Sequence, residues 1–492
     1  MSEKNEKTIL ETFREWVLQQ ESPEYTITED RGPIDSICID TRFAHGTVSF
    51  YMLDQVPAVE MHVTNLYTQQ AAFYLHFELK DLLHAKELFE EMQAAIRKQH
   101  GASTVKVLLC CSSALTTSFF KEKLNSAAEI LSLDMTFDAV SYSNLFVAGY
   151  DASVILLAPQ IGYEYDKVRE VMKDKLVLKV PARLFASYDV SGVLDFVKDS
   201  LADHEREKQE KMLPAERMEF KNTPCMLIIS VIVEYESMHF VYRIYNAGSI
   251  IHQDEVIKQR FEIRDLEDML DYELARYPEV TMVCINSPGV FYKGHMTFKS
   301  AGIFDEDVET RLTEKYGLHF IFVNDANAMA LGFYGLQKKA TSLSFYFHPQ
   351  AARTAGVGNV INGQLYTGRN NLAGEMQFVH QVLNYTDDPD NLLKTPEGTM
   401  EIVARYLVSI IACLDPQEIV IYCNMIYDLD QLKEYLGHYI RKDYLPDLIK
   451  VDDVIEYMFV GGMMLCVGEL SRQKLRNTAE HYARYSEGEA QD

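Results

Sequence analysis

Residues 106–118 constrain this chain more than any other stretch. An apolar strand, Val107-Leu108-Leu109-Cys110, runs into Cys111-Ser112-Ser113-Ala114-Leu115-Thr116-Thr117-Ser118 and then into a helical pattern. Further strands are predicted at 136–140 and 151–157 around a helix at 119–131, so the segment alternates β and α elements. Small and hydroxyl-bearing residues let backbone amides curl around an anion at the helix N-terminus, where the macrodipole favours negative charge and lowers a thiol pKa. Cys111 is thereby a candidate phosphoryl-bearing nucleophile, with Ser112, Ser113, Thr116, Thr117 and Ser118 as its candidate phosphate loop. The residues alone leave a second reading open: free cysteine is among the most buried residue types, and Cys110 and Cys111 would equally end a buried strand.

The strand at 151–157 ends in Ala158-Pro159-Gln160-Ile161-Gly162-Tyr163. With that second element the stretch resembles the enzyme IIB component of the lactose/cellobiose class of the bacterial sugar phosphotransferase system. That family reads strand, Cys-Ala-Ala-Gly-Met-Ser-Thr-Ser, helix, and later Leu-Leu-Gly-Pro-Gln-Val. Cys111, Thr117, Ser118, Leu156, Leu157, Pro159 and Gln160 match it, over about residues 105–199. The resemblance implies a parallel α/β sandwich in which Cys111 accepts a phosphoryl group from a histidine of a IIA partner and passes it to a sugar. Ala114 replaces the family's glycine, removing conformational freedom from the turn, and Ser112-Ser113 replace two alanines.

Composition excludes several classes. The chain has 492 residues, 47% hydrophobic and 24% charged, enough for three or more domains. No apolar run approaches a membrane span, residues 1–7 lack a signal-peptide pattern, and the expected location is the cytoplasm. Eight cysteines are scattered without disulfide or metal spacing. A formal charge of −26 opposes a general nucleic-acid surface, because phosphate neutralisation needs clustered Lys and Arg.

The expected fold class is multidomain α/β. Residues 1–101 read as an antiparallel α+β module of unknown role: a helix at 6–20, strands at 34–39, 47–53, 58–63 and 71–77, and a helix at 82–98. Residues 102–200 form the IIB-like unit. Residues 201–222 are dense in charge around 201–218 and read as a solvated helix or linker.

The last region, 223–486, carries Ile321-Phe322-Val323-Asn324-Asp325-Ala326-Asn327-Ala328, then Gly356-Val357-Gly358, Ile361-Asn362-Gly363-Gln364-Leu365-Tyr366, Ala373-Gly374-Glu375, Gly398-Thr399-Met400-Glu401 and Leu414-Asp415-Pro416-Gln417-Glu418-Ile419-Val420-Ile421. In order and spacing it resembles the ROK family of repressors, open reading frames and sugar kinases. The resemblance implies a two-lobed actin-like ATPase fold, with Asp325 at the place of the general base and Asn324, Glu375 and Glu401 at sugar-contacting places. Fixed acceptors suit pyranose recognition, since a hydroxyl buried without a partner costs roughly 1 to 3 kcal/mol. On the residues alone, Asn324 and Asp325 also read as caps of the following helix, and the glutamates as solvated charge.

The nucleotide half of that family pattern is missing. No glycine lies between Cys225 and Asn246, where Ile228-Ile229-Ser230-Val231-Ile232-Val233-Glu234-Tyr235-Glu236-Ser237 stands at a phosphate turn. The second phosphate loop aligns with Ala352-Arg353-Thr354-Ala355-Gly356, and an adenosine-side triple glycine with Tyr422-Cys423-Asn424. Cβ atoms fill space that close backbone approach to a nucleotide requires. The family's zinc cysteines align with Leu392, Lys394 and Thr399, and its histidine with Phe378. Those side chains cannot build a tetrahedral zinc site, so no metal and no cofactor is expected. His380, two residues beyond Phe378, could reach the same strand face, but a lone histidine is more often a satisfied surface or core residue.

The chain therefore reads as a regulatory or sensory protein of bacterial carbohydrate uptake that binds a sugar or sugar phosphate, a glucoside or amino sugar being favoured by both resemblances. A IIA-type partner and a homo-oligomer are expected. Two alternatives stand beside it: a transport component or working sugar kinase, and a ROK-type transcriptional regulator. The last suffers from the acidic charge and from the missing winged helix.

Overall fold

Regular alternation of buried and half-buried side chains makes the first hundred residues a meander. The computed structural model describes residues 2–488 apart from 32–33, 54–55, 67–70, 103–104, 113–114, 132, 134, 174, 211–222, 234–236, 338 and 351. Helix α1 (Ser2–Leu18) precedes strands β1 (Thr26–Arg31), β2 (Asp35–Asp40), β3 (Ala44–Leu53), β4 (Val56–Asn65) and β5 (Ala71–Glu78), and helix α2 (Leu82–Ala102) follows. One sheet face packs on the two helices through Phe13, Val48, Phe50, Met61, Phe73 and Phe89. The sequence reading missed β1, whose Thr-Ile-Thr-Glu-Asp-Arg carries one aliphatic residue and is held by antiparallel pairing with β2.

The middle stretch is β6 (Val105–Cys111), α3 (Leu115–Ile130), β7 (Met135–Ser141), α4 (Leu145–Ala148), β8 (Val154–Leu157), α5 (Tyr165–Val171), β9 (Leu176–Lys179), α6 (Ala182–Ala186) and α7 (Val190–Glu210). Its four strands are parallel in the order β7-β6-β8-β9. Parallel strands are covered on both faces, which is why β6 and β8 read as continuous apolar runs. Val107, Leu109, Cys111 and Leu156 pack toward α3 and α7. Leu108, Cys110, Ile155 and Leu157 face the other way, into a core shared with the last region. The charged segment predicted from 201 begins as the end of α7, and residues 211–222 lie outside the described residues.

The last region continues with β10 (Met226–Val233), β11 (Met238–Asn246), β12 (Ser249–Lys258), α8 (Ile263–Arg276), β13 (Met282–Ser287), β14 (Val290–Tyr292), β15 (His295–Phe298), β16 (Ile303–Asp307), α9 (Val308–Tyr316), β17 (His319–Asn324) and α10 (Asp325–Gln337). Then come β18 (Leu343–Phe347), β19 (Gly356–Ile361), β20 (Gln364–Leu365), α11 (Met376–His380), α12 (Pro389–Leu392), α13 (Pro396–Leu414), β21 (Glu418–Tyr422), α14 (Leu429–Leu436), β22 (Asp447–Lys450) and α15 (Ile455–Gly488). Strands β20-β19-β18-β21-β22 form a second mixed sheet. Helices α10 and α15 cross in backbone contact: a Cβ at Gly332 would lie 1.9 Å from the Tyr457 carbonyl oxygen, and one at Gly461 would lie 2.0 Å from that of Ala328. Among the described residues no helix is long and apolar enough to cross a membrane.

The first hundred residues share a sheet with the last region. One ten-stranded sheet runs β1-β2-β3-β4-β5-β12-β11-β10-β13-β17, although β5 and β12 pair in register only at Tyr74 and Ile257. Buried polar groups close the rest of that seam. The Tyr242 hydroxyl donates to Glu273 at 2.9 Å and lies 2.9 Å from His76 Nε2, while Lys258 reaches Asp265 in α8 and Glu91 in α2. Nothing in the strand pattern of residues 71–78 announces such a partner almost two hundred residues away.

Candidate functional site: a carboxylate pair and a strand-to-helix cysteine

Strand β17 ends at Asn324 and α10 begins at Asp325. The Asn324 side-chain oxygen accepts from the amides of Ala326 at 3.0 Å and Asn327 at 3.4 Å, so it meets two of the unpaired N–H groups of the helix start. Its Nδ2 donates to the Gly289 carbonyl at 2.9 Å, tying β17 to the turn before β14. Asp325 accepts from the Ala326 amide at 2.7 Å. Burial pushes its carboxyl up to about 6; the Ala326 amide opposes that rise, and the negative charge of Glu375 adds to it.

Glu375 comes from a different part of the fold. Gly374 before it has φ +95°, and a Cβ there would lie 1.8 Å from the Val357 carbonyl oxygen, so only glycine fits. That close approach seats Glu375 in a bridge with Gly356 at the start of β19. Gln377 donates to Glu375 at 3.0 Å, and Asn371 donates to the Phe291 carbonyl at 2.8 Å, clamping the loop onto β14. Burial raises the Glu375 pKa, with Gln377 and Lys299 opposing. Asn324 and Asp325 thus sit together at the start of α10, with Glu375 near enough for its charge to be felt by Asp325.

The raised Asp325 pKa has a sign for stability. A carboxyl whose folded pKa stands above its unfolded value of 3.8 contributes stability below about 4, and that contribution is lost as pH rises through about 6. Asp325→Asn should therefore stabilise the ligand-free protein at pH 8 by about 1 to 3 kcal/mol, with the advantage vanishing at pH 4. Urea denaturation at both pH values measures it. Equal stabilities at pH 8 would contradict a buried charge.

Glu401 has partners of its own. It is 4% exposed on α13, accepts from the Thr386 amide at 2.9 Å and the Thr386 hydroxyl, and receives Arg405 at 2.8 and 2.9 Å. Both its oxygens are occupied, so it organises the segment around Thr386 instead of presenting a free acceptor beside Asp325. His380 ends helix α11, not a strand, and is a satisfied side chain. Its Nδ1 lies 2.6 Å from the Tyr406 hydroxyl and 3.0 Å from that of Tyr385. Phe378 is half exposed.

At the expected nucleotide side, residues 234–236 lie outside the described residues. Ile232 at the end of β10, Phe347 at the end of β18 and Tyr422 at the end of β21 join one apolar cluster, with the Phe347 and Tyr422 rings 5.2 Å apart. Ala355 and Cys423 are buried in another. Aromatic and aliphatic side chains occupy the strand ends where a nucleotide-binding turn needs bare backbone.

In the middle stretch Cys111 is 2% exposed and its sulfur lies 3.2 Å from the Thr117 hydroxyl. Thr116, Thr117 and Ser118 belong to the first turn of α3, which begins four residues earlier than its apolar periodicity suggested, and not to a loop. Ser112 is exposed, and Ser113 lies outside the described residues. Burial pushes the neighbouring Cys110 thiol up to about 12, with the charge of Cys111 adding to the rise. Sequence reading did not single out Lys299, Asn371, Gln377 or Asn327. Asn327, two residues after Asp325, has a buried side-chain oxygen without a hydrogen-bond partner, and its place inside the Asn-Asp-Ala-Asn run was the one available signal.

The family model of the ROK family matches residues 259–389, which include Asn324, Asp325 and Glu375. Among solved structures the chain is similar to the ROK hexokinase from Thermus thermophilus, with 15% identity over 50% of this chain and 100% of that one, at a TM-score of 0.37. It is also similar to a ROK family glucokinase from Streptomyces griseus, solved with glucose and AMPPNP: 12% identity, 49% and 98% coverage, TM-score 0.36. The lactose-specific IIB component domain from Streptococcus pneumoniae is similar at 20% identity, covering 20% of this chain and 97% of that one, TM-score 0.19.

Proposed function

We propose that the chain is a regulatory or sensory protein of carbohydrate uptake. Its Asn324, Asp325 and Glu375 site holds a sugar or sugar phosphate without phosphorylating it, and Cys111 is a phosphoryl acceptor that reports transport state. The observation that carries the reading is the asymmetry of the last region. The ROK match covers a carboxylate pair suited to hydroxyl recognition, Asp325 buried and Glu375 half-buried, while the strand ends at Ile232, Phe347 and Tyr422 are filled by packed side chains. Cys111 at the end of β6, beside Thr117 in the first turn of α3, supports the acceptor role. It also favours the second reading, a phosphotransferase component whose 105–199 module donates phosphate.

Calorimetric titration of the full chain tests this. Glucose, N-acetylglucosamine or one of their 6-phosphates should bind, and Asp325→Ala should abolish the heat, whereas Mg-ATP at millimolar concentration should give none. Binding only to the native state adds about 2.7 kcal/mol at ligand 100 times Kd, visible as a thermal shift. Saturable Mg-ATP binding with sugar-dependent ADP release would replace the sensor reading with a kinase. Labelling from phosphoenolpyruvate through the general phosphotransferase proteins should be lost in Cys111→Ser.

A further inference from the structure

The parallel strands β18, β21 and β22 of the second sheet end at Phe347, Tyr422 and Lys450. In open α/β sheets, the crevice outside the carboxyl ends of the strands is where ligands bind. Here part of the same chain covers it. After β18, Gln350 Nε2 donates to the Phe146 carbonyl in α4 at 3.0 Å. After β21, the Tyr427 ring lies 5.6 Å from Lys167 Nζ of α5, and Cys423, Met425 and Ile426 share an apolar cluster with Phe146, Val168 and Met172. At the end of β22, Lys450 stands 3.8 Å from Glu170, and just beyond it Asp452 pairs with Lys173 at 2.8 Å. Lys167 adds an ion pair with Glu397 at the start of α13.

We propose that the 105–199 module is the built-in occupant of that strand edge, in the place of a diffusible ligand, and that its docking controls the Asp325 and Glu375 site. The contacts are complementary in charge: the α5 segment presents Lys167 and Lys173 to Glu397 and Asp452, and Glu170 to Lys450. They are also apolar where a crevice would be wet, since Ala355, Cys423 and Met425 are at most 6% exposed against the module. The route to the site is short and covalent. Gln350 is held by α4, the imidazole of His348 contacts the Ala352 carbonyl at 2.9 Å, and the segment ends at Gly356, the bridge partner of Glu375. By linkage, whatever sugar does to docking, docking does to sugar affinity. The control half of this inference rests on the sugar reading of Asp325 and Glu375; the docking half does not.

The test uses the full chain, the reversed variant Lys167→Glu/Lys173→Glu, and a swapped variant that adds Glu397→Lys/Asp452→Lys. Hydrogen exchange should quicken about tenfold in residues 352–357 and 423–427 of the reversed variant and return in the swapped one, which also shows that the substitutions fold. Exchange equal to wild type in the reversed variant would overturn the docking. Glucose or N-acetylglucosamine affinity should change about fivefold or more on reversal and recover on swapping. Unchanged affinity with quickened exchange would overturn the control. A wild-type chain that binds neither sugar nor their 6-phosphates would overturn the sugar reading and the control together, leaving exchange to decide docking by itself.

Discussion

Lys258→Met should cost about 3 to 5 kcal/mol of unfolding free energy, because it removes the cation from a buried pair and leaves its carboxylate uncompensated. Lys258 is 3% exposed at the end of β12, Asp265 is 5% exposed in the first turn of α8, and Glu91 reaches the same ammonium from α2 at 3.0 Å. Burial pushes Asp265 up to about 6 against the pull of Lys258, while burial lowers the Lys258 pKa less than its two carboxylates raise it. The two directions agree on an ionised pair at pH 7. Asp265 cannot simply escape, since it also accepts from the Glu262 amide at 2.7 Å to cap α8. Denaturation of the single variant and of Lys258→Met/Asp265→Asn/Glu91→Gln measures the effect. The triple variant should recover most of the loss; a single variant within about 1 kcal/mol of wild type would mean that the seam is held by apolar contacts instead.

Gly332→Ala and Gly461→Ala should each destabilise by about 3 kcal/mol, at the upper end of the range for overpacking. Alanine is the better helix former by about 1 kcal/mol, so propensity predicts the opposite sign. Packing wins because the atom that a Cβ meets is a backbone carbonyl oxygen, at 1.9 Å for Gly332 and 2.0 Å for Gly461, and no rotamer change can move it. Helices α10 and α15 would have to separate, and α10 begins at Asp325, so the proposed sugar binding should weaken along with stability. Urea denaturation with a parallel sugar titration checks both. A variant as stable as wild type would show that the crossing tolerates a wider spacing.

Local patterns were legible where one element explains itself. The succession of β and α patterns around β6 and β8 announced an α/β unit, whose parallel sheet the IIB resemblance implied, and the short alternating strands of the first hundred residues announced an antiparallel one. The Asn-Asp-Ala run after an apolar stretch placed Asn324 and Asp325 at the junction of β17 and α10. Positions whose meaning depends on a distant partner were not legible. Glu401 and Glu375 look alike in their glycine-bearing motifs, yet Arg405 and Thr386 occupy the first, while the second stands near enough to Asp325 for its charge to be felt.

Periodicity and motif order were determined by the sequence alone, because hydrophobic spacing and backbone preference act within a few residues. They marked most strands and helices of the first two hundred residues and the strand-to-helix cysteine, while the candidate carboxylates and the missing glycine-rich nucleotide turns were legible only through the ROK resemblance. The tertiary structure alone decided that β5 joins β12 through one register pair, that Lys258 unites three elements, and that α4 and α5 cover the carboxyl edge of the second sheet. The physical reason is that a buried charge or an apolar face is stable against any complement of suitable shape. Which complement it meets is settled by the packing of the whole chain, where the costs of desolvation and of ordering are minimised together.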